Sequence, residues 1–159
     1  MQNPRTQKPR RRPVLFAAVI LALAAPALGF AADHGKPHRV AIQVDQNDPK
    51  VMNLALNNAS NIIEYYREKG DDVQVEVVAY GPGLNMLRED TSPVKDRIKQ
   101  IKEVSFPSEI KFAACNNTKK GMEKAEGHPI TIIPQAEIVP SGAVELMQLE
   151  EQGWSYLRP

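Results

Sequence analysis

Hydrophobic residues along the chain alternate between short continuous runs and helical spacing, which predicts strands and helices in turn. The predicted early strands cover residues 39–44, 73–80 and 109–114. Between the first two strands, apolar residues recur three or four positions apart, so a helix is predicted from Pro49 to Lys69. Pro49 suits the first helical position and Gly70 suits the stop.

The same alternation continues in the second half of the chain. A second helix is expected to open at Ser92-Pro93, a third to span Thr118 to Ala125, and a fourth to run from Ser141 to about Gln152. The remaining expected strands are a fourth over residues 130–133 and 136–139, bent at Pro134, and a short edge strand over residues 154–157. Strands separated by helices are typical of right-handed βαβ units, so we predict an α/β domain with a mostly parallel sheet covered on both faces.

The first 31 residues have the layout of a secretory signal. A basic start precedes an apolar run over residues 14–29, and Gly29-Phe30-Ala31 offers small residues at the cleavage positions. The apolar run is short for a membrane span, which needs about 20 residues; an uncleaved anchor is the alternative. We therefore predict a signal peptide over 1–31, a flexible lead-in over 32–37, a single domain over 38–159, and a periplasmic or secreted protein with no stable membrane insertion after cleavage.

Removal of the signal changes the charge of the chain and excludes one class of partner. The signal carries five basic and no acidic residues, so 15 Lys and Arg remain against 19 Asp and Glu, a net charge of −4. No basic stripe is left, which argues against nucleic acid as a partner. The remaining length suffices for one compact core. The single cysteine, Cys115, cannot form an intramolecular disulfide.

The candidate site lies where the predicted strands end. Ligands of an open parallel sheet gather at the carboxyl ends of its strands. The residues that follow the first three strands and form the candidate site are Asp45, Asn47, Tyr80, Gly81, Gly83, Cys115, Asn116, Asn117 and Thr118. The segment Gly81-Pro82-Gly83 lacks the spacing of a phosphate loop and is interpreted first as a turn that the backbone needs.

Cys115 is the candidate reactive group, because it stands where a strand passes into a helix. Free N–H groups at a helix start favour a thiolate, and Lys119 and Lys120 would add to this effect, whereas Asp45 would oppose it if close. The alternative is a buried structural cysteine, since cysteine is among the most buried residue types. No histidine is placed to act as its base, no Cys-x-x-Cys motif is present, and neither a metal nor a cofactor is expected.

A row of asparagines on the first helix is the second feature of interest. Asn53, Asn57 and Asn61 are spaced four apart and so share one helix face. Such a row suits a subunit interface or the wall of a site, and a merely solvated face is the alternative.

Several segments together resemble the DsrE/DsrF-like family, which includes sulfur-relay proteins. The resemblance covers nearly all of residues 38–159. It is carried by the 39–44 strand, the Asn-rich first helix, Tyr80-Gly-Pro-Gly-Leu84, Ala114-Cys115-Asn116-Asn117-Thr118, and the ending from Val139 through Gly153-Trp154 to Pro159. It implies a flavodoxin-like three-layer sandwich with a five-stranded sheet, assembled into trimers or hexamers.

The resemblance also implies a role for Cys115. In the relay members a cysteine at the end of the third strand accepts a persulfide sulfur and hands it on, and Cys115 is similar in placement. The N–H groups of Asn117 and Thr118 would stabilise its charge, and Asp45, Asn47 and Tyr80 would line the pocket. The relay members work in the cytoplasm as mixed complexes, whereas this chain carries an export signal.

Two functions follow as hypotheses. The first is an exported persulfide carrier that receives sulfur from a donor protein and passes it to an acceptor protein, with enzymatic turnover left open. The second is a non-enzymatic oligomeric module for small-ligand binding or assembly, in which Cys115 is structural.

Overall fold

The computed structural model describes residues 38–159, and the predicted signal peptide and lead-in lie outside the described residues. The chain forms, in order, β1 (His38–Val44), α1 (Pro49–Lys69), β2 (Val73–Ala79), a 3-10 helix (Gly81–Leu87), α2 (Lys95–Val104), β3 (Glu109–Cys115), α3 (Asn116–Glu126), β4 (Glu137–Val139), α4 (Gly142–Glu151) and β5 (Ser155–Leu157). Within this part of the chain, no helix combines the length and the hydrophobicity that a bilayer crossing requires.

All five strands are parallel and lie in the order β4-β3-β2-β1-β5. The fold is therefore α/β, a flavodoxin-like three-layer sandwich, as predicted. The register pairs Val44 with Ala79 and Ala79 with Ala114. The carboxyl ends of β1, β2 and β3 are thus level with one another, and the loops that follow them leave from the same edge of the sheet.

The two faces of the sheet are covered unequally. On one face, strand residues such as Ile42, Val77 and Phe112 pack against α1, the 3-10 helix and α2 in a single large core. On the other face, the alternate strand residues form a small core, and α4 is the only helix that contributes to it. Its buried members are Ala41, Val78, Ala113, Leu146 and Leu149. One helix therefore covers the second face, and its position depends on a short apolar contact.

The first helix has the predicted bounds because both of its ends are capped. The Asp48 carboxylate accepts a hydrogen bond from the Lys50 N–H at 2.7 Å. At the other end Gly70 adopts a left-handed conformation with φ of 75°, and its N–H donates to the Arg67 carbonyl at 3.1 Å. Both contacts use groups that the helix cannot satisfy internally.

The predicted fourth strand is wrong in its first half. Residues 130–133 form no strand but cross the end of the 3-10 helix, where the Ile133 N–H donates to the Leu87 carbonyl and the Glu89 N–H donates to the Thr131 carbonyl, both at 2.9 Å. Ile130 and Ile133 are buried, yet the backbone hydrogen bonds of the run go to the segment at the end of the 3-10 helix instead of the sheet. Only Glu137–Val139 pairs with β3.

Two helix starts also differ from the prediction. The second helix begins at Lys95, because Ser92 lies in a turn in which its N–H donates to the Arg88 carbonyl. The third helix begins at Asn116, two residues early, because Cys115 is itself the cap.

Two members of the asparagine row hold two helices together. The Arg97 guanidinium on α2 donates to the amide oxygen of Asn53 at 2.6 Å and to that of Asn57, so two members of the row join α1 to α2. Asn53 is partly buried and Asn57 is exposed, so a solvated face describes the row in part. A subunit interface or the wall of a site stays a prediction. Asn61 is exposed.

Gly83 has no room for a side chain, and its substitution tests the packing of the 3-10 helix on β1. An added Cβ would lie 2.2 Å from the Val44 carbonyl oxygen. Gly83→Ala is expected to lower the free energy of unfolding by about 1–3 kcal/mol, since the backbone must shift. Gly121→Ala is the control: a Cβ there meets nothing within 4 Å, so a helical alanine should stabilise α3 by roughly 0.5–1 kcal/mol. Urea unfolding measures both, and equal effects would contradict the interpretation.

Candidate functional site

Cys115 is the last residue of β3 and the N-cap of α3. Its sulfur accepts a hydrogen bond from the Thr118 N–H at 3.4 Å. An N-cap side chain accepts from one of the first free N–H groups of the helix, a role that Ser, Thr, Asp or Asn usually takes. Here a thiol takes it, so the sulfur lies at the amino end of α3, where the helix is electrically positive.

The first residue of a second helix also acts on the thiol. The N–H of Gly142, the first residue of α4, lowers the pKa of the Cys115 thiol, as do the Asn117 N–H and the Thr118 hydroxyl. The Asn117 N–H lies 3.3 Å from the Pro140 carbonyl as well, which ties the start of α3 to the segment before α4. The sulfur therefore lies between the amino ends of two helices.

These donors decide the protonation of the thiol. Burial raises the pKa of the Cys115 thiol. The Thr118 hydroxyl and the N–H groups of Gly142, Thr118 and Asn117 together lower it by more than burial raises it, so the pKa is below its ordinary value. The neighbouring Lys119 pairs with Glu123 at 2.6 Å, which places its charge against a carboxylate.

The sulfur is recessed but its surroundings are polar. Cys115 is 4% exposed. A cysteine that only fills space in a core requires no hydrogen-bond donors, whereas a thiolate requires several, because a buried charge is costly unless it is hydrogen-bonded. The hydrogen bond from the Thr118 N–H, together with the lowered pKa of the thiol, favours the thiolate interpretation over simple packing.

The second and third strand exits are joined by one hydrogen bond. The Gly81 N–H donates to the Thr118 hydroxyl oxygen at 2.9 Å, and the same hydroxyl lowers the pKa of the Cys115 thiol. Gly81 has φ of 52°, and Gly83 packs against Val44. Gly81 is thus favoured by its left-handed backbone conformation, and Gly83 by the lack of room for a side chain.

The first strand exit lies beside this cluster. Asp45 pairs with Arg158 at 2.9 Å between Oδ2 and Nη2, so its charge is matched. Tyr80 packs over Gly142, where an added Cβ would lie 2.8 Å from the tyrosine Cβ. Burial raises the pKa of Tyr80, and the Asp45 charge adds to this effect.

The remaining predicted residues have less direct positions. Asn116 is partly buried and Asn117 is exposed in the first turn of α3, where Asn117 acts through its backbone. Asn47 is exposed in the loop after β1, outside the contacts that join the other residues. His128 lies 3.3 Å from Glu126, and His38 stacks on Tyr66 with ring centroids 3.9 Å apart, both away from the sulfur cluster. Within residues 38–159, no three His, Cys, Asp or Glu side chains are grouped to hold a metal ion.

Sequence reasoning missed Gly142 as a member of the site. Ser141-Gly142 reads locally as an ordinary helix start, and the Ser141 side chain makes no cap bond. The contact with Cys115 joins residues 27 positions apart through the path of α4 over the sheet. The only signal in the local sequence was a glycine at a helix start. The structure shows why a glycine is needed there, because a Cβ would clash with Tyr80.

A solved structure of similar fold was found among known proteins. It is that of MTH1491, a protein of unknown function from Methanobacterium thermoautotrophicum. The two chains are 28% identical, the TM-score is 0.64, and the match covers 77% of this chain and 99% of that one. No protein-family model matches this chain, and no curated protein matches it. The likeness supports the flavodoxin-like α/β fold.

The Thr118 hydroxyl is expected to lower the pKa of Cys115, and its removal tests this. Thr118→Val keeps the shape but removes the donor, so the pH midpoint of Cys115 alkylation should rise. The same change leaves the Gly81 N–H without its acceptor and should cost about 1–3 kcal/mol of stability. Thr118→Ser retains the hydroxyl and should titrate like the native protein. The rate of iodoacetamide labelling against pH measures the midpoint, and an unchanged midpoint in the valine variant would exclude the hydroxyl as a donor.

A buried carboxylate lies under α4, the helix that supplies the Gly142 N–H. Glu76 is buried on the central strand β2, beside Lys111 of β3, and the charge of Glu145 on α4 acts on it. Burial, followed by the charges of Glu145 and Glu137, raises the pKa of Glu76 to about 7, and Lys111 lowers it in part.

The stability of the domain is therefore expected to fall as pH rises from 4.5 to about 7. Between the ordinary value of 4.5 and about 7, the folded state holds a proton on Glu76 that the unfolded chain has released, so the free energy of unfolding declines across this window. Glu76→Gln should remove most of the decline, whereas Glu109→Gln, at an exposed site on β3, should leave it. Urea unfolding at a series of pH values measures the slope. A native slope that persists in Glu76→Gln would assign it to another group.

Proposed function

We propose that this chain is an exported, DsrE-like protein that carries sulfane sulfur on Cys115. The observation that supports the proposal best is the position of the sulfur at the start of α3, where it accepts a hydrogen bond from the Thr118 N–H. The Thr118 hydroxyl and the first N–H groups of two helices lower the pKa of the thiol there. The position of Cys115 at the end of the third strand matches the position of the acceptor cysteine in the relay members that the sequence resembles.

The proposed step is a transfer between sulfur atoms. The Cys115 thiolate attacks the outer sulfur of a donor persulfide, R–S–SH. A bond forms between Sγ and that outer sulfur, the S–S bond of the donor breaks, and the donor leaves as the thiolate R–S⁻ while Cys115 becomes Cys–S–SH. Oxidation states balance without an external oxidant or reductant, and hand-over to an acceptor thiolate repeats the exchange in the other direction.

The hydrogen bonds suit both states of such a carrier. Since the thiolate is the attacking form, a pKa below the ordinary value increases the fraction of Cys115 that can react at neutral pH. After transfer, the Thr118 N–H can stabilise the inner sulfur.

The proposal also specifies the surroundings of the protein. The signal-like first 31 residues support a periplasmic or secreted location, and the donor and acceptor would be other thiol proteins. A trimer or hexamer of this chain is part of the proposal. Exposed apolar side chains on α4 and β4 support it, namely Val144 at 48%, Met147 at 59% and Ile138 at 53% exposure.

The alternative function is a non-enzymatic oligomeric module that binds a small ligand or assembles with copies of itself. The observation in its favour is the 4% exposure of Cys115, which limits the approach of a donor. In this alternative the sulfur serves only as the N-cap of α3.

Persulfide loading separates the two functions. Incubation of the folded protein with a low-molecular-weight persulfide should add one sulfur atom to Cys115, seen by mass spectrometry of the intact protein. Cys115→Ser keeps a capping oxygen and should fold normally but take up no sulfur. Subsequent addition of excess thiol should remove the sulfur from the native protein.

Failure to load would contradict the carrier function only if the thiol is accessible. Iodoacetamide labelling of the native protein serves as that control. A native protein that is alkylated at Cys115 yet gains no sulfur would exclude the carrier and favour the binding module. A native protein that resists both reagents until denatured would assign Cys115 to structure.

A further inference from the structure

Arg88, which directly follows the 3-10 helix, is 3% exposed and makes bidentate contact with two carboxylates. Its Nε and Nη2 donate to Asp90 at 3.0 and 2.7 Å, and its Nη1 and Nη2 donate to Glu126 at 2.7 and 2.9 Å. Asp90 lies two positions along the chain, whereas Glu126 is the last residue of α3. Arg88 therefore joins the end of the 3-10 helix to the far end of α3.

Helix α3 has few other means of attachment. None of its residues is fully buried, and Met122 is its one side chain that packs against the large core. Glu123 adds a bond from the Ile130 N–H at 2.9 Å. Because apolar burial is the main stabilising contribution to most helices, the position of α3 depends unusually strongly on polar contacts.

Two ties connect α3 to the 3-10 helix, one at each end. At the sulfur end the Gly81 N–H bonds to Thr118, and at the far end Arg88 bonds to Glu126. The spacers between the ties match in length: eight residues of α-helix rise about 12 Å and seven of 3-10 helix rise about 14 Å. Two ties on two rigid spacers fix the tilt of α3 as well as its distance.

We propose that Arg88 is a positioning residue for the Cys115 sulfur: by holding the far end of α3, it holds the first turn of that helix against the sulfur. The inference rests on the proposed function in that it names a residue on which the reactivity of Cys115 depends. Arg88 makes no contact with the sulfur and acts through Glu126, α3 and Thr118.

A matched pair of variants separates positioning from general stability. Glu126→Ala and Asp90→Ala each remove one of the two carboxylates from the same guanidinium, and each leaves the buried charge one partner. Only Glu126 belongs to α3. Both variants should therefore lose stability, which thermal unfolding measures, but only Glu126→Ala should release the helix that contacts the sulfur.

The measurement is the rate of iodoacetamide labelling of Cys115 against pH in the folded full chain. In Glu126→Ala the midpoint should move up, and the rate below the midpoint should fall roughly three- to tenfold, since a tenfold change corresponds to about one pKa unit. In Asp90→Ala the midpoint should stay at the native value. If Glu126→Ala does not fold, Glu126→Gln is judged by the same criterion.

Equal midpoints in the folded Glu126 variant and in Asp90→Ala would overturn the inference, whether both are native or both are shifted. The assay uses no sulfur donor, so its result is separate from persulfide loading. A Glu126 variant with a raised midpoint, in a protein whose native form is alkylated but takes no sulfur, would keep the positioning role and exclude the carrier.

Discussion

The N–H groups at the start of a helix have no partners within that helix, and this requirement governs the candidate site. In this fold the Cys115 sulfur accepts the Thr118 N–H at the start of α3, and the first N–H of α4 also lowers the pKa of the thiol. The sulfur satisfies the Thr118 N–H, and the groups at both helix starts favour its anion. Cap and candidate nucleophile are thus the same atom, so its structural and chemical interpretations share one geometry.

The order of the strands explains why the two helices meet there. From β1 to β4 the chain adds each strand on the same side, and it then returns across the sheet to place β5 beside β1. The helix that makes this return is α4, which crosses the face of the sheet opposite to α1. It starts next to the end of β3, because β4 is the neighbour of β3 and is only three residues long. The reversal of direction therefore brings Gly142 to Cys115 and Tyr80.

Most of the fold could be predicted because strands and helices depend on patterns among residues that are close in the sequence. The continuous apolar runs, the Asp48-Pro49 start and the Gly70 stop identify β1, α1 and β2. The error over residues 130–133 arose because an Ile-rich run signals burial without saying which backbone groups it bonds. The placement of Cys115 at a helix start was likewise local. Gly142, Arg88 and Arg97 depend on contacts between distant segments, and their neighbours in sequence carry no sign of these partners.

The shared cap has a consequence for the way the domain responds to its environment. Because groups at the starts of two helices lower the pKa of one thiol, displacement of either helix would alter the nucleophilicity of that thiol. Binding of another protein to α4, or a shift of α3, would change the reaction rate of the Cys115 thiol. The reactivity of the only cysteine of the chain would therefore report the positions of the two helices beside it.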